Sequence, residues 1–321
     1  MKLSASTLKK FIKGALAYEY KNGYLTPFRY SQAQLDYMAD PSYDYGWRAR
    51  ARFAGPIRIE FITDSSYVSF DYRASDMHER SNTIDLYVNG TLTSVYKIED
   101  RLSASVRFEL PDGEKRVTIY LPCESKLDIK NFTIDKKYKS IKDKGEKILI
   151  IGDSITQGAG TEISSAAYAN VITRELGYNI IAQGIGGYRF EAKDLMLVDT
   201  FTPSRIVVFL GTNYYEKDCE KNGYFYDKAV EEFYDKLTEL YPTTKIIAIT
   251  PLWHNNGIDW ERFYWCIDKI KTACKKHPQI KVLDGFSLVP NVDECFSDRV
   301  HPNSYGSLLL AEGIMRELKK K

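Results

Sequence analysis

Two patterns of apolar and polar positions follow one another along the chain. Between residues 45 and 135, apolar and polar residues alternate in short runs, as in strands that bury one face. The runs that predict strands are WRARARFAG, IRIEFITD, YVSFDYRA, TIDLYVNG, TSVYKIE, SVRFELPDG and KRVTIYLP. Asn89-Gly90 and Asp112-Gly113 lie between such runs and predict hairpin turns. This part therefore predicts two packed antiparallel sheets, a jelly-roll-like β-sandwich.

The residues before the sandwich show a helical spacing near the amino terminus. This spacing predicts a short amphipathic helix, and we expect residues 1–44 to wrap around the sandwich as this helix and irregular chain. The apolar residues with helical spacing are Leu8, Phe11, Ile12, Ala15 and Leu16.

After Lys147 the apolar runs become continuous, as in parallel strands that helices cover on both faces. The runs are KILIIG, NIIAQG, RIVVFLG, KIIAIT and KVLDGF, and helix-length segments at 166–176, 224–240, 259–276 and 304–320 separate most of them. This part predicts a five-stranded α/β domain of the flavodoxin-like type. The lysine-rich stretch DKKYKSIKDKGEK reads as a solvated linker, so we predict domains of residues 1–140 and 141–321.

Composition narrows the classes of function. The formal net charge is +2, and because nucleic-acid binders usually carry a basic excess, we expect no nucleic-acid partner. Lysines interrupt the amino-terminal apolar residues and no run reaches the length of a transmembrane helix, so we expect no signal peptide, no membrane partner and a cytoplasmic location. The five cysteines lack CxxC spacing and there is no HExxH, so we predict neither a disulfide framework nor a metal site.

The first strand after Lys147 runs into a small polar turn, GDSITQGAGT. A P-loop is excluded because Gln157 and Gly158 stand where its second glycine and its lysine belong. A dinucleotide fingerprint fails at Ile163, and the nucleophile elbow Gly-x-Ser-x-Gly fails at Thr156. We therefore expect no cofactor. Ser154 remains as a nucleophile that needs a base from elsewhere in the chain.

The segment SDRVHPNSYG offers that base near the carboxyl terminus. Asp298 and His301 are three residues apart, so one turn can place both side chains on the same side. A histidine takes the serine proton more effectively when a carboxylate fixes its tautomer. The glycines of QGIGGYRF and the amide of Asn213 follow two other strands and can offer donors to a developing oxyanion. All these groups follow strands whose carboxyl ends meet at one edge.

The blocks GDSIT, GIGGY, GTN and DRVHP, in this order, resemble the four signature blocks of the SGNH (GDSL-type) hydrolases. The resemblance covers residues 147–321 and implies a flavodoxin-like fold and a serine esterase mechanism. It implies that Ser154 is the nucleophile and that Asp298 and His301 are the acid and the base.

The same resemblance implies an oxyanion hole. Its members would be the Ser154 N–H, the Gly187 N–H and the Asn213 amide, with Gly186 as the alternative glycine if the loop is one residue out of register. A β-sandwich before an SGNH domain also resembles the acetyl-sugar esterases of carbohydrate esterase family two.

Aromatic residues beside these blocks are the candidates for substrate binding. Tyr188 and Tyr214 follow the second and third strands, and Trp253 follows the fourth, where it could stack on a sugar ring; core packing is the competing interpretation for each. Arg189 is a further pocket candidate. His254 ranks below His301 as a base because no carboxylate precedes it at a useful spacing.

The favoured hypothesis is a serine esterase that removes short acyl groups, above all acetyl, from O-acetylated carbohydrates. Its partner would be a small-molecule or oligosaccharide ester. Two alternatives stay open at this point: a lipase-like or thioesterase activity at the same residues, and a non-catalytic glycan-binding protein in which the sandwich binds the glycan.

Overall fold

The computed structural model describes residues 1–77, 81–98, 102–143, 145–198 and 200–320. It contains two antiparallel sheets in the amino-terminal part and one parallel sheet in the carboxy-terminal part, which confirms the predicted fold class. Glu99, at the end of one predicted strand, and Lys144, in the predicted linker, lie outside the described residues.

The amino-terminal part is built from eleven short strands and three short helices among the described residues. Its helices are α1 (Ala5–Lys9), α2 (Gln32–Met38) and α3 (Tyr45–Ala51). Its strands are β1 (Ile12–Lys13), β2 (Ala17–Lys21), β3 (Tyr24–Phe28), β4 (Arg58–Thr63), β5 (Tyr67–Ser75), β6 (Thr83–Val88), β7 (Thr91–Lys97), β8 (Ser103–Glu109), β9 (Lys115–Tyr120), β10 (Lys126–Ile134) and β11 (Tyr138–Ser140).

These strands form two sheets with a shared apolar core. One sheet has the order β1-β4-β9-β6-β7, with β11 also paired to β4, and the other has the order β2-β3-β10-β5-β8. Alternate residues such as Phe61, Val117 and Ile119 are fully buried and belong to one core cluster. Their neighbours along the same strands therefore face away from that core.

Three local predictions for this part are wrong. The run WRARARFAG contains helix α3, because Asp44 caps the helix by accepting a hydrogen bond from the Trp47 N–H at 2.8 Å. The predicted amino-terminal helix ends at Lys9, and residues 12–28 contribute strands to both sheets. Asn89-Gly90 forms the predicted β6–β7 hairpin, whereas Asp112-Gly113 connects strands of different sheets.

The carboxy-terminal part alternates strands and helices, as the pattern predicts. Its strands are β12 (Lys147–Gly152), β13 (Asn179–Gly184), β14 (Arg205–Phe209), β15 (Lys245–Ile249) and β16 (Ile280–Leu283). Its helices are α4 (Ser154–Gln157), α5 (Tyr168–Leu176), α6 (Asp218–Lys221), α7 (Tyr226–Leu240), α8 (Trp260–Cys274) and α9 (Ser304–Leu318), with 3₁₀ turns at Ser164–Ala166, Ala192–Asp194, Gly285–Ser287 and Asp293–Cys295.

The parallel strands lie in the order β13-β12-β14-β15-β16, which is the flavodoxin-like order. The chain leaves β12 toward β13 on one side and then returns to β14 on the other. The switch in direction opens a crevice at the carboxyl ends of β12, β13 and β14, and the turn that contains Ser154 begins there.

The two parts of the chain contact each other beside this crevice. The Ser81 hydroxyl donates to the carbonyl oxygen of Thr161 at 2.6 Å, and the Ser165 N–H donates to the Asp85 carboxylate at 2.6 Å. The division at residue 140 stays a prediction. In the described part of the chain, no helix is both long enough and apolar enough to cross a membrane.

Candidate active site

Ser154 is the first residue of α4 and follows β12 through Gly152 and Asp153. The Asp153 carboxylate accepts the Ile155 N–H at 3.1 Å, which ends the strand and starts the helix. Gly152 is required by space, because a Cβ there would lie 2.0 Å from the Thr156 hydroxyl oxygen. The tight turn leaves Ser154 half-buried at the edge of the sheet, where its hydroxyl reaches the crevice.

His301 lies between Ser154 and Asp298 in a continuous chain of hydrogen-bonded side chains. Its Nε2 is 2.8 Å from Ser154 Oγ, and its Nδ1 is 2.8 Å from Asp298 Oδ2. Because the Asp298 carboxylate accepts a hydrogen bond from Nδ1–H, the neutral ring presents the Nε2 lone pair to the serine hydroxyl. The arrangement has the geometry of a serine nucleophile with its base and its orienting acid.

The turn before α9 holds Asp298 and His301 in this relation. The Asp298 carboxylate also accepts the backbone N–H of His301 at 2.8 Å and that of Val300 at 3.2 Å. One carboxylate therefore fixes both the backbone turn and the imidazole ring. This turn requires a spacing of three residues between Asp298 and His301. That spacing can be recognised in the sequence, so the two residues could be paired there.

The candidate oxyanion donors lie on the loops after β13 and β14. The Gly186 N–H donates to Gln157 Oε1 at 2.9 Å, so this donor is already engaged inside the protein. Gly187 has a left-handed φ of 74° and lines the cavity beside Ser154. Asn213 Nδ2 donates one hydrogen to the Tyr188 carbonyl oxygen at 3.1 Å, which orients the amide. The geometry favours Gly187 over Gly186 as the donor.

Helix α3 of the amino-terminal part donates hydrogen bonds to the loop after β13 that contains Gly186 and Gly187, which we call the glycine loop. Trp47 Nε1 donates to the Gly187 carbonyl oxygen at 3.1 Å. Arg50 Nη1, one turn further along α3, donates to the Gly186 carbonyl oxygen at 2.9 Å. Two consecutive peptide groups of the loop are thus fixed by two side chains of one helix. Sequence reasoning missed both contacts, although Asp44 was an available signal for a helix cap.

Ser154 and His301 open into a cavity of about 620 Å³. The lining is mainly polar, and its members are Arg50, Met77, Glu124, Ser154, Gln157, Ala159, Gly186, Gly187, Asn213, Asp298 and His301. The amino-terminal part supplies Arg50, Met77 and Glu124, none of which the sequence pattern singled out. A single loop pattern could not have found them, because they come from three separate places in the chain.

The three aromatic residues predicted to bind substrate lie outside this lining. The Tyr188 ring is buried against Trp47 at 5.0 Å, and its hydroxyl donates to Asp194 at 2.9 Å. Burial and the Asp194 charge raise the pKa of Tyr188 well above its usual value. For this residue, core packing is what the structure shows.

Tyr214 and Trp253 also make contacts of their own. The Tyr214 ring packs against Trp47 and Tyr224, and the Arg189 guanidinium lies 4.7 Å from its centre. Trp253 stacks on Phe286 at 4.0 Å, and its Nε1 donates to a backbone carbonyl. Packing against other rings accounts for both side chains.

Two further ionisable groups lie near the serine. Burial raises the pKa of Asp153 to about 6, although the Ile155 N–H and the positive charge of a protonated His301 act in the opposite direction. Burial also lowers the pKa of His254, whose ring packs against Tyr215 at 5.5 Å and which takes no part in the chain of hydrogen bonds through Ser154. Within the described residues, no group of three or more His, Cys, Asp or Glu side chains is arranged to hold a metal ion.

The fold and the site together define the class: an α/β domain of the flavodoxin-like order with serine, histidine and aspartate at the carboxyl edge of its sheet. Residues 150–309 match the model of the GDSL-like lipase/acylhydrolase family, and this part of the chain belongs to that family. The sequence-based assignment to the GDSL-type hydrolases is thereby confirmed. No curated protein matches the chain.

Solved structures share the fold over nearly the whole chain. A salicylyl-acyltransferase, SsfX3, from a tetracycline biosynthetic pathway is 19% identical with a TM-score of 0.71 and covers 96% of this chain and 93% of its own. A family two carbohydrate esterase from Clostridium thermocellum is 14% identical with a TM-score of 0.70 and covers 96% and 98%. The acetyl xylan esterase Est2A from Butyrivibrio proteoclasticus is 19% identical with a TM-score of 0.61 and covers 83% and 90%.

Proposed function

We propose that this chain is a serine esterase that removes short acyl groups, above all acetyl, from O-acylated carbohydrates. The observation that carries the proposal is the hydrogen-bonded chain from Asp298 through His301 to Ser154 at the mouth of a polar cavity. Membership of an acylhydrolase family supports the ester as the substrate bond.

The reaction follows from the positions of these groups. His301 Nε2 takes the proton of Ser154 Oγ as that oxygen attacks the ester carbonyl carbon. The imidazolium that forms is stabilised by Asp298, and it then gives its proton to the leaving sugar oxygen. Water, activated by the same Nε2, attacks the acyl-serine in the second half of the reaction and releases the free acid.

The oxyanion of each tetrahedral intermediate is stabilised by the backbone N–H groups of Ser154 and Gly187 and by the Asn213 amide. Each well-placed donor of this kind is worth about 3 kcal/mol in the transition state. The Asn213 amide is suited to this task because its bond to the Tyr188 carbonyl leaves its second N–H for the substrate oxygen.

The cavity lining supports a hydroxylated alcohol and a small acyl group over a long alkyl chain. Arg50, Glu124 and Gln157 face the same space as Ser154. An alkyl chain in contact with these groups would give them no hydrogen bonds, and covering the half-buried Arg50 would also remove it from water, which costs about 1–3 kcal/mol. Sugar hydroxyl groups can donate to the carboxylate and accept from the guanidinium.

The test compares the wild-type protein with Ser154→Ala on an acetylated xylo-oligosaccharide and on p-nitrophenyl esters of increasing chain length. We expect acetate release by the wild type, a preference for acetyl over octanoyl esters, and a loss of at least about 1,000-fold in Ser154→Ala. Ser287→Ala, which removes an exposed hydroxyl bonded to Asp284, is the matched control and keeps full activity.

Three measurements separate the proposal from its rivals. Rapid quenching followed by mass spectrometry should find one added acetyl group on the peptide that contains Ser154. Unchanged turnover in Ser154→Ala would refute the serine mechanism, and a preference for octanoyl esters would refute the short-chain assignment in favour of a lipase-like activity.

A further inference from the structure

A second cavity lies between the outer face of the β4-β9-β6 sheet and the last turn of α5. Its volume is about 320 Å³, and it shares no lining residue with the cavity at Ser154. We refer to it as the arginine groove. Its lining consists of Arg58, Glu60, Tyr87, Asn89, Gly90, Arg116, Thr118, Tyr120, Thr173 and Arg174.

The sequence of the three strands places polar groups on this face. In β4 and β9, Arg58, Glu60 and Arg116 alternate with fully buried apolar side chains of the sandwich core, namely Ile59, Phe61 and Val117. The period of two therefore sends the charged side chains to the outer face. Strands β4, β9 and β6 therefore all contribute side chains to the groove, and the charged groups among them take no part in packing the sandwich core.

Positive charge exceeds negative charge in the lining. Glu60 serves two guanidinium groups: Arg58 lies 3.5 Å away, and Arg116 Nε donates to Glu60 Oε1 at 2.6 Å. The side chains of Arg58 and Glu60 are more than nine-tenths buried, whereas that of Arg116 is 55% exposed. Arg116 therefore has donors directed toward solvent as well as toward Glu60.

The third guanidinium comes from the catalytic part of the chain. Arg174 Nη1 donates to the Ser165 carbonyl oxygen at 3.1 Å, and its guanidinium lies 5.0 Å from the centre of the Tyr87 ring. Its carboxylate neighbour, Glu175, is 3.5 Å away and half exposed. Tyr87 and Tyr120 meet edge to face at 5.2 Å and form one wall of the groove.

From this arrangement we propose that the arginine groove binds a carboxylate-bearing sugar, such as a uronic acid residue of a glycan. A guanidinium group binds a carboxylate through two parallel hydrogen bonds, and Arg116 and Arg174 provide such groups. The Tyr87 ring offers an apolar edge for the sugar ring, and the Asn89 amide nitrogen offers a donor for its hydroxyl groups. The volume matches a short glycan segment at the lower end of ligand-site sizes.

This site would hold an acidic glycan on the protein independently of ester cleavage. Its binding does not depend on Ser154, so a failure of the proposed function and a failure of this inference give different results. The Ser154→Ala protein is the form to use for binding, since it leaves an acetylated ligand intact.

The experiment is isothermal titration of Ser154→Ala with a glucuronic-acid-bearing oligosaccharide and with the neutral oligosaccharide of the same length. We expect saturable binding of the acidic glycan, at least about tenfold weaker binding of the neutral one, and weakening with added salt. Adding Arg116→Gln should weaken binding of the acidic glycan at least about tenfold. The same substitution in the wild-type background should leave hydrolysis of p-nitrophenyl acetate unchanged.

Arg107→Gln is the matched control. Arg107 lies on β8 of the other sheet, its side chain is 52% exposed, and it pairs with Glu109 as Arg116 pairs with Glu60. Ser154→Ala that also carries Arg107→Gln should bind the acidic glycan as tightly as Ser154→Ala alone. If Arg116→Gln does not fold, Arg174→Gln tests the same groove from the helix side. Equal binding of acidic and neutral glycans, no binding at all, or full binding in both groove variants would overturn the inference.

Discussion

The hydrogen bonds from α3 to the glycine loop lead to a quantitative prediction about kcat. Arg50 donates to the Gly186 carbonyl, which belongs to the same peptide group as the Gly187 N–H, and Trp47 donates to the Gly187 carbonyl of the next peptide group. Loss of either bond lets the peptide group that carries the Gly187 N–H rotate away from the oxyanion. The informative substitutions are Trp47→Phe, which keeps an aromatic ring, and Arg50→Met, which keeps an unbranched apolar stem.

The size of the effect follows from the kind of bond that is lost. A hydrogen bond from a charged donor is worth about 1.5–3 kcal/mol, and a neutral one is worth about 1 kcal/mol. At 1.36 kcal/mol per factor of ten, Arg50→Met should lower kcat by about 10- to 100-fold and Trp47→Phe by about fivefold. The upper limit is the loss of one complete oxyanion donor, about 100- to 1,000-fold.

The assay is the hydrolysis of p-nitrophenyl acetate, with kcat and KM measured separately. Both half-reactions pass through an oxyanion, so the loss should appear in kcat, while KM changes by less than about threefold. The double variant should lose less than the product of the two single effects, because both side chains restrain one loop. Thermal unfolding of each variant separates this effect from general instability.

Arg48→Met is the control on the same helix. Arg48 Nη1 donates to the Ala39 carbonyl oxygen at 3.4 Å, and its guanidinium lies 5.4 Å from the centre of the Tyr45 ring. It should keep the wild-type kcat. The reasoning is refuted if Arg50→Met retains full kcat, or if Arg48→Met loses as much as Arg50→Met.

Three further predictions concern the turn at Ser154 and its partners. Asp298→Asn should lower kcat at least about 100-fold with little change in the melting temperature, since an amide selects the wrong imidazole tautomer; a loss below tenfold contradicts this. Asp153, with its pKa raised to about 6, stays protonated in the folded state at pH values where the unfolded chain has ionised, so native stability falls as the pH rises from about 4 to 6. The stability of Asp153→Asn relative to wild type should therefore increase over that range by up to about 3 kcal/mol in denaturant titrations, and a constant difference contradicts it. Gly184→Ala puts a Cβ 2.3 Å from the Gln157 nitrogen and should reduce both melting temperature and kcat, whereas Gly113→Ala, in open space, should cost only about 1 kcal/mol of stability and no activity.

The sequence predicted the parts of the fold in which local pattern and packing agree. The strands from KILIIG to KIIAIT are buried on both faces along almost their whole length, so their apolar runs identify a parallel sheet, whereas the edge strand β16 is only partly buried. The Asp298–His301 spacing was readable because a single turn determines the contact between these residues. The sequence placed Ser154, Asn213 and the GIGGY glycines at one edge because the carboxyl ends of parallel strands meet there, whereas the choice of Gly187 came from the resemblance to the signature blocks and stays a prediction.

Tertiary contacts determine the features of the structure that the pattern of apolar and polar residues did not predict. WRARARFAG alternates as a strand does, yet the Asp44 cap and burial of Trp47 and Ala51 make it a helix. Arg50 reaches the cavity at Ser154 because the amino-terminal part packs beside the crevice. For the aromatic residues after the strands, position along the sequence left substrate binding and core packing as competing interpretations; the Tyr188 ring is buried against Trp47, whereas substrate contact by Tyr214 and Trp253 stays a prediction.

The bond from Trp47 to Gly187 also gives the protein an optical probe of its own. The chain has four tryptophans, and the indole of Trp47 is hydrogen-bonded directly to the loop that would stabilise the oxyanion. Any ligand that moves this loop changes the polarity and hydrogen bonding of that indole, and with them its fluorescence emission. Comparison of the wild-type protein with Trp47→Phe isolates this signal from the other three tryptophans, so occupancy of the cavity can be followed in real time without a labelled substrate.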